Sequence, residues 1–406
     1  MTIKNEVKEN SRRSFLKSSL LIGGLAISNK KIFAASMDTQ VGDFGFIVGP
    51  YLQTSFSNSI SILWITSKEA ASWVEFGVSP ENLDQKAYGE SSLGLKPAGR
   101  INCITLENLA PGKTYHYRIV SKELSDFQPY KVTYGQEIKS DIFSFINTDS
   151  SKDAVSFVMM NDIHDRPESI VHLLKIDQGK DRDFVFFNGD IFDYQTDEKQ
   201  IVDHMLKPVT ELFAKSTPFI YVRGNHETRG KFARGIADYF QNIGHAAFSL
   251  GPARFVIIDT GEDKEDTHPV YAGIVDFDHY REQQAKWLEQ EIQRDEFKNA
   301  AFRIVLMHIP PRYSGNAHGP THCTELFEPL LNQGKVDIVL SGHTHHYKVH
   351  APAEGLNSYP IIIGGGSRDG QRTLTRVEID QKQLKVQLLG DSGAEVGQYT
   401  VNRRKL

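Results

Sequence analysis

Cysteine is almost missing from this chain: 2 residues in 406, Cys103 and Cys323. Thiols so few and so far apart indicate neither a disulfide framework nor a thiolate metal knot. A dominant charge is missing too. With 46 Lys+Arg against 51 Asp+Glu the formal charge is −5, so no strongly basic surface advertises nucleic acid. Long apolar runs are absent, and the stretch from Leu20 to Ile27 is too short to anchor stably in a bilayer. Repeats and low-complexity tracts are lacking, and 39% hydrophobic with 24% charged residues excludes a mainly disordered chain. The length suits two to three domains with a sizeable core. What the composition does offer is histidine, 15 residues of it.

Residues Ser11 to Lys17 read SRRSFLK and resemble a twin-arginine export signal. Asn29, Lys30 and Lys31 interrupt the apolar stretch before Ala34, Ala35 and Ser36 offer a small-residue cleavage site. Residues 1–36 are therefore expected to be an address rather than structure. The resemblance implies an exported protein, periplasmic or secreted, with no transmembrane anchor after cleavage. The plainer alternative is a disordered basic tail or an uncleaved anchor.

Two compositional regimes follow. In residues 41–149, short alternating runs (SISILWIT at Ser59 to Thr66, SWVEFGV at Ser72 to Val78, TYHYRIV at Thr114 to Val120, IFSFIN at Ile142 to Asn147) with Pro/Gly turns predict an all-β sandwich. Leu109, Pro111, Gly112, Tyr115 and Tyr117 resemble the LxPGxxY corner of fibronectin type III modules, where a tyrosine hydroxyl ties a loop back to the backbone. In residues 153–402 the runs become continuously apolar, as at Ser156 to Met160, Asp183 to Phe187, Pro218 to Val222, Arg254 to Ile258, Arg303 to Met307 and Asp337 to Leu340. Such runs suit sheets buried on both faces. Tyr280 to Arg294 reads as an amphipathic helix. Two alternating runs, Thr373 to Ile379 and Lys385 to Leu389, complete a sheet, and the class is α/β.

Five apolar runs end in polar clusters, where an open α/β sheet places ligands. They are Asp162 and His164 in NDIHD, Asp190 and Asp193 in GDIFD, Asn225 and His226 in GNHE, His308 in MHIPP, and His343 and His345 in GHTHH. Clustered carboxylate or amide oxygens and imidazoles of this kind suit borderline metals, iron, zinc or manganese, and disfavour calcium. Gly189, Gly224 and Gly342 precede donors where the chain must turn sharply off a strand.

In this order the motifs resemble the calcineurin-like metallophosphoesterase superfamily. The resemblance implies a four-layer core of two packed mixed β-sheets flanked by helices, preceded by the small sandwich. It also implies two divalent or trivalent ions: one on Asp162, His164 and His345, the other on Asn225, His308 and His343, with Asp190 bridging. By the same resemblance a metal-activated hydroxide attacks phosphorus, His226 is the general acid, and Asp193 pairs with His226 or is a plain turn cap.

The leading sandwich and His318, ten residues past His308, resemble purple acid phosphatases, in which a histidine at about that place binds phosphate. Arg166 is a second candidate phosphate contact. This chain departs from the purple enzymes, which carry glycine in place of His164 and a tyrosine ligand in place of Asp193. Tyr194 stands one position off, so the purple colour is not expected. The reading is a phosphomonoesterase acting on small phosphorylated substrates. The alternatives are a phosphodiesterase or nucleotide hydrolase of the same superfamily, and, from another class, a non-catalytic adhesive protein.

Overall fold

The computed structural model describes residues 43–404 apart from 55–58, 91–92 and 242. Residues 1–36, read as an export signal, lie outside the described residues. No described helix is long and apolar enough to cross a membrane.

The sandwich strands form where apolar and polar residues alternate, with one difference from the sequence reading. Ser59 to Thr66 and Ser72 to Val78 are not separate strands but one, Ile60–Gly77. The polar stretch between them does not turn. Instead the ladder to Ala98–Leu106 slips in register between Ile65 and Ala70, and the chain stays extended through the bulge. The expected tyrosine corner is present, the Ala110 N–H donating to the Tyr115 hydroxyl at 3.0 Å.

In the second regime, Val155–Met160, Phe184–Asn188 and Phe219–Val222 lie parallel, and Thr373–Ile379, Gln383–Gly390 and Glu395–Asn402 extend them antiparallel on one edge. On the other edge Phe46–Thr54 pairs in parallel with Phe219–Val222, Gln53 opposite Phe219. Sandwich and core thus share one 13-stranded sheet. Ala253–Ile258, Phe302–Met307, Ile338–Ser341 and Ile361–Ile363 lie parallel in a second, 6-stranded sheet.

Phe157, Phe184, Phe186, Phe255 and Leu306 fill the space between the sheets, so these strands are apolar on both faces. The outer face of the larger sheet packs on Ile170 and Leu173 of helix Pro167–Ile176 and on Met205 and Leu206. The outer face of the smaller sheet packs on Leu288 of helix Phe277–Glu291 and on Phe327 and Leu331 of helix His318–Gln333. The result is helix, sheet, sheet, helix. Phe277–Glu291 begins three residues before the predicted helix because Asp266 accepts from the Phe277 and Asp278 amides, both at 2.9 Å, a cap that comes from outside the segment's own pattern.

The sandwich is tied into the core rather than strung from it. Val48, Tyr51, Leu63 and Ile65 belong to the same apolar cluster as Ile170 and Phe187. The Tyr51 hydroxyl donates to the Tyr239 carbonyl at 2.9 Å, and Tyr117 to that of Lys215 at 2.8 Å.

Candidate metal centre

Each donor stands just past a strand's carboxyl end. Asp162 follows Val155–Met160, Asp190 follows Phe184–Asn188, Asn225 follows Phe219–Val222, His308 follows Phe302–Met307, and His343 and His345 follow Ile338–Ser341. The loops turn at once. Asp162, His164, Asp190, His343 and His345 have φ of 52°, 51°, 52°, 74° and 59°. A residue with a Cβ adopts left-handed backbone at a cost of roughly 1–2 kcal/mol. Such strain concentrates where neighbouring structure over-determines it, typically at functional sites. Glycine permits the close approach: a Cβ on Gly189 would come within 2.6 Å of His308 Nδ1, and one on Gly342 within 2.6 Å of Asp162 Oδ2.

The side chains converge into two groups with one member in common. Donor atoms of Asp162, His164, Asp190 and His345 lie within 4.8 Å of one another, and so do those of Asp190, His308 and His343. Asp190 Oδ2 is 3.1 Å from His308 Nε2 and 3.8 Å from His164 Nε2. His345 Nε2 is 3.0 Å from His164 Nε2 and 3.2 Å from Asp162 Oδ1. Asn225 Oδ1 joins the second group, 2.9 Å from His343 Nδ1.

Two atoms test whether cations fit. Asp162 Oδ1 and His308 Nε2 belong to side chains with 0% exposure and make no hydrogen bond. Orphaned polar atoms at that depth are costly, and a cation in each group would satisfy both. The opposite nitrogens are held from behind. His308 Nδ1 donates to the Asn188 carbonyl at 2.8 Å, and His164 Nδ1 is 2.9 Å from Asp193 Oδ1. Such backing fixes the ring orientation and aims the free nitrogen at a metal.

Charge in the site is concentrated. Burial alone would push the His308 and His164 imidazoles down, yet the Asp190 and Asp162 carboxylates prevail and raise them to about 10 and about 9. Burial likewise opposes the charge on Asp190, and its histidine neighbours, His308 foremost, hold its carboxyl down at about 2. Burial together with the His308 charge lowers His343 to about 4. The carboxylates are thus arranged to be ionised beside positive charge.

His226 lies at the edge of this arrangement. Its main-chain N–H donates to Asp190 Oδ1 at 2.9 Å, its Nδ1 is 2.7 Å from the Asp193 carbonyl, and its Nε2 is 4.0 Å from Asp190 Oδ2. Burial lowers its pKa from the ordinary value, with Asp190 opposing and Arg229 assisting.

The expected pairing of the Asp193 carboxylate with His226 is corrected. That carboxylate goes to His164, and only the main-chain carbonyl reaches His226. Asp165 accepts from the Asp193 amide at 2.9 Å, while its other oxygen is 2.7 Å from His204 Nδ1. His318 is engaged by Asp278, 2.8 and 2.9 Å from its two oxygens, with His322 Nδ1 3.2 Å from the same carboxylate. That trio is separate from the Asp190 groups. Arg166 donates Nη1 to the His164 carbonyl at 3.2 Å. Tyr194 is 56% exposed.

Sequence reasoning gave Glu227 no role, although it closes the GNHE motif. It is fully buried and accepts four backbone N–H groups: Asp190 at 2.9 Å, Ile191 at 2.6 Å, Phe192 at 3.0 Å and Gly224 at 2.7 Å. It therefore pins the Asp190 loop to the Asn225 loop. Asp165 and Arg229 were also passed over, because a carboxylate or guanidinium in a loop has no periodicity to betray it.

Comparison with known proteins agrees with this geometry. The family described as calcineurin-like phosphoesterase matches residues 155–347, and the purple acid phosphatase N-terminal domain matches residues 50–145. Among similar sequences, purple acid phosphatase 21 of Arabidopsis thaliana is 26% identical over 323 residues, 74% of this chain and 67% of that one. Acid phosphatase type 7 of Mus musculus is 25% identical over 337 residues, 75% and 70% of the two chains. A purple acid phosphatase from yellow lupin seeds shares the fold, with a TM-score of 0.67 at 17% identity over 87% of this chain and 74% of its own. With a calcineurin-like phosphoesterase domain behind a purple acid phosphatase N-terminal domain, the chain is a purple acid phosphatase-like, metal-dependent phosphoesterase.

Proposed function

We propose that this chain hydrolyses phosphomonoesters outside the cytoplasm, with two resident cations and with His226 as general acid. The observation that carries the reading is Asp190, shared by two donor groups that have no other member in common. Asp162, His164, Asp190 and His345 would hold one cation, and Asp190, Asn225, His308 and His343 the other. Two such ions, when bound, supply Lewis acidity that lowers the pKa of water and offsets charge on a phosphoryl group. Nitrogen and oxygen donors without thiolate suit iron, zinc or manganese.

The chain's own residues do the rest. The Asp193 carbonyl takes the His226 Nδ1 hydrogen, which commits that nitrogen and leaves Nε2 facing the shared carboxylate. Nε2 then donates its proton to the departing alkoxide, a role worth roughly 10²–10⁴ in rate. The Asp193 carboxylate orients His164. Similarity to proteins named acid phosphatases supports a monoester substrate, and the SRRSFLK segment supports export.

The test is leaving-group dependence. His226→Asn should cut kcat on an alkyl phosphate by roughly 10²–10⁴ and on p-nitrophenyl phosphate far less, with metal content unchanged. Equal losses on both would contradict the acid role. Faster turnover of bis(p-nitrophenyl) phosphate than of the monoester by the wild type would make this a diesterase, and no turnover of either would favour the non-catalytic alternative.

A further inference from the structure

We propose that Arg229, beside His226, binds a terminal oxygen of the substrate's phosphoryl group and so selects monoesters over diesters. The inference rests on the phosphatase reading above. Two of the three guanidinium nitrogens are already committed. Nε donates to Glu262 Oε2 at 2.8 Å and Nη2 to Glu262 Oε1 at 2.7 Å, Nη2 also reaching Asp263 Oδ1 at 3.1 Å. Glu262 has 0% exposure, so this two-pronged clamp holds the guanidinium plane in place.

That leaves Nη1, whose neighbour is His226 Nε2 at 3.3 Å. His226 Nδ1 is already given to the Asp193 carbonyl at 2.7 Å. Nη1 therefore has no oxygen acceptor among the described residues, and a terminal phosphoryl oxygen seated beside it supplies one while His226 Nε2 serves the leaving oxygen. The place is suitable: His226 Nε2 is 4.0 Å from Asp190 Oδ2, and the Arg229 side chain is 24% exposed, within reach of a ligand entering from solvent.

The chemistry selects the ligand. A monoester has three terminal oxygens, enough to face two cations and still present one to Nη1. In a diester one of those oxygens is alkylated and can no longer accept a charge-assisted bond there. Losing one such bond should weaken the monoester by roughly 10- to 100-fold and leave the diester nearly unchanged.

The experiment compares wild type, Arg229→Gln and Arg229→Lys as manganese-loaded proteins, with kinetics on p-nitrophenyl phosphate and bis(p-nitrophenyl) phosphate and calorimetric binding of inorganic phosphate. Arg229→Gln should raise KM for the monoester and Kd for phosphate by about tenfold or more, with diester KM within about twofold. Arg229→Lys, which keeps the cation beside Glu262 but not the fork, should recover part of the loss. Equal losses on both esters, or unchanged phosphate binding, would overturn the proposal. If the wild type hydrolyses neither ester the phosphatase reading fails by itself, and the phosphate titration still decides whether Arg229 holds an anion.

Discussion

Replacing Glu227 by Gln tests how the two metal loops are held together, and its cost follows from four distances. One oxygen of the carboxylate accepts the Ile191 and Phe192 amides at 2.6 and 3.0 Å, and the other accepts Asp190 and Gly224 at 2.9 and 2.7 Å. Glutamine keeps the shape but turns one oxygen into an NH₂, which faces two N–H donors and cannot accept from either. Two buried amides are then unsatisfied at about 1–3 kcal/mol each, so the expected loss is roughly 2–6 kcal/mol. A domain's whole stability is about 5–15 kcal/mol, which makes this a large effect. Burial and the Asp190 charge push the Glu227 carboxyl up to about 7, the backbone amides pulling the other way, so at pH 8 the ionised carboxylate itself costs the fold stability that Gln is spared, and the net loss there lies toward the low end of that range. Urea unfolding of the metal-free proteins reads the difference directly. A loss below about 1 kcal/mol would refute the argument that these bonds carry the loop junction.

Three other outcomes are expected. Asp193→Ala removes the acceptor behind His164 and should weaken metal binding about 10- to 100-fold, and unchanged affinity in a chelator competition would contradict this. Burial opposes the charge of Glu75, but Arg118, Trp73 and Lys86 prevail and lower its pKa to about 2, below the unfolded value near 4.5. A depressed carboxyl stabilises the fold fully above the unfolded pKa, and the contribution disappears as pH falls from about 4.5 toward about 2. Glu75→Gln should therefore flatten the stability curve over that window, and an equal acid slope in both proteins would count against it. Deleting residues 43–149 should abolish cooperative folding, since Val48, Tyr51, Leu63 and Ile65 sit in the core's own cluster. A soluble remainder with a sharp melting transition would show the sandwich to be dispensable.

The core was legible because its strands are apolar on both faces. Runs such as Val155 to Met160 and Phe302 to Met307 can be satisfied only between layers, and their polar ends fall at the loops that meet a ligand. The site's donors were legible for the same reason, since each is fixed by its distance from a strand end. What the sequence did not disclose depends on long-range contacts. The pairing of Gln53 with Phe219 joins two domains into one sheet across a gap of more than 160 residues, and no local pattern encodes it. The ladder partner that carries Ile60–Gly77 through a polar stretch is likewise remote. The orientation of Asp193 toward His164 was hidden because its loop is held by a remote partner, Asp165, itself paired with His204, and no local pattern marks either contact.

Metal stoichiometry tests the central claim most directly, namely that Asp190 is shared by two cation sites. Wild-type protein loaded with manganese or zinc and freed of excess metal should carry two ions per chain, and Asp190→Asn no more than one, at reduced affinity. Two ions retained at wild-type affinity by Asp190→Asn, or never more than one in the wild type, would contradict it.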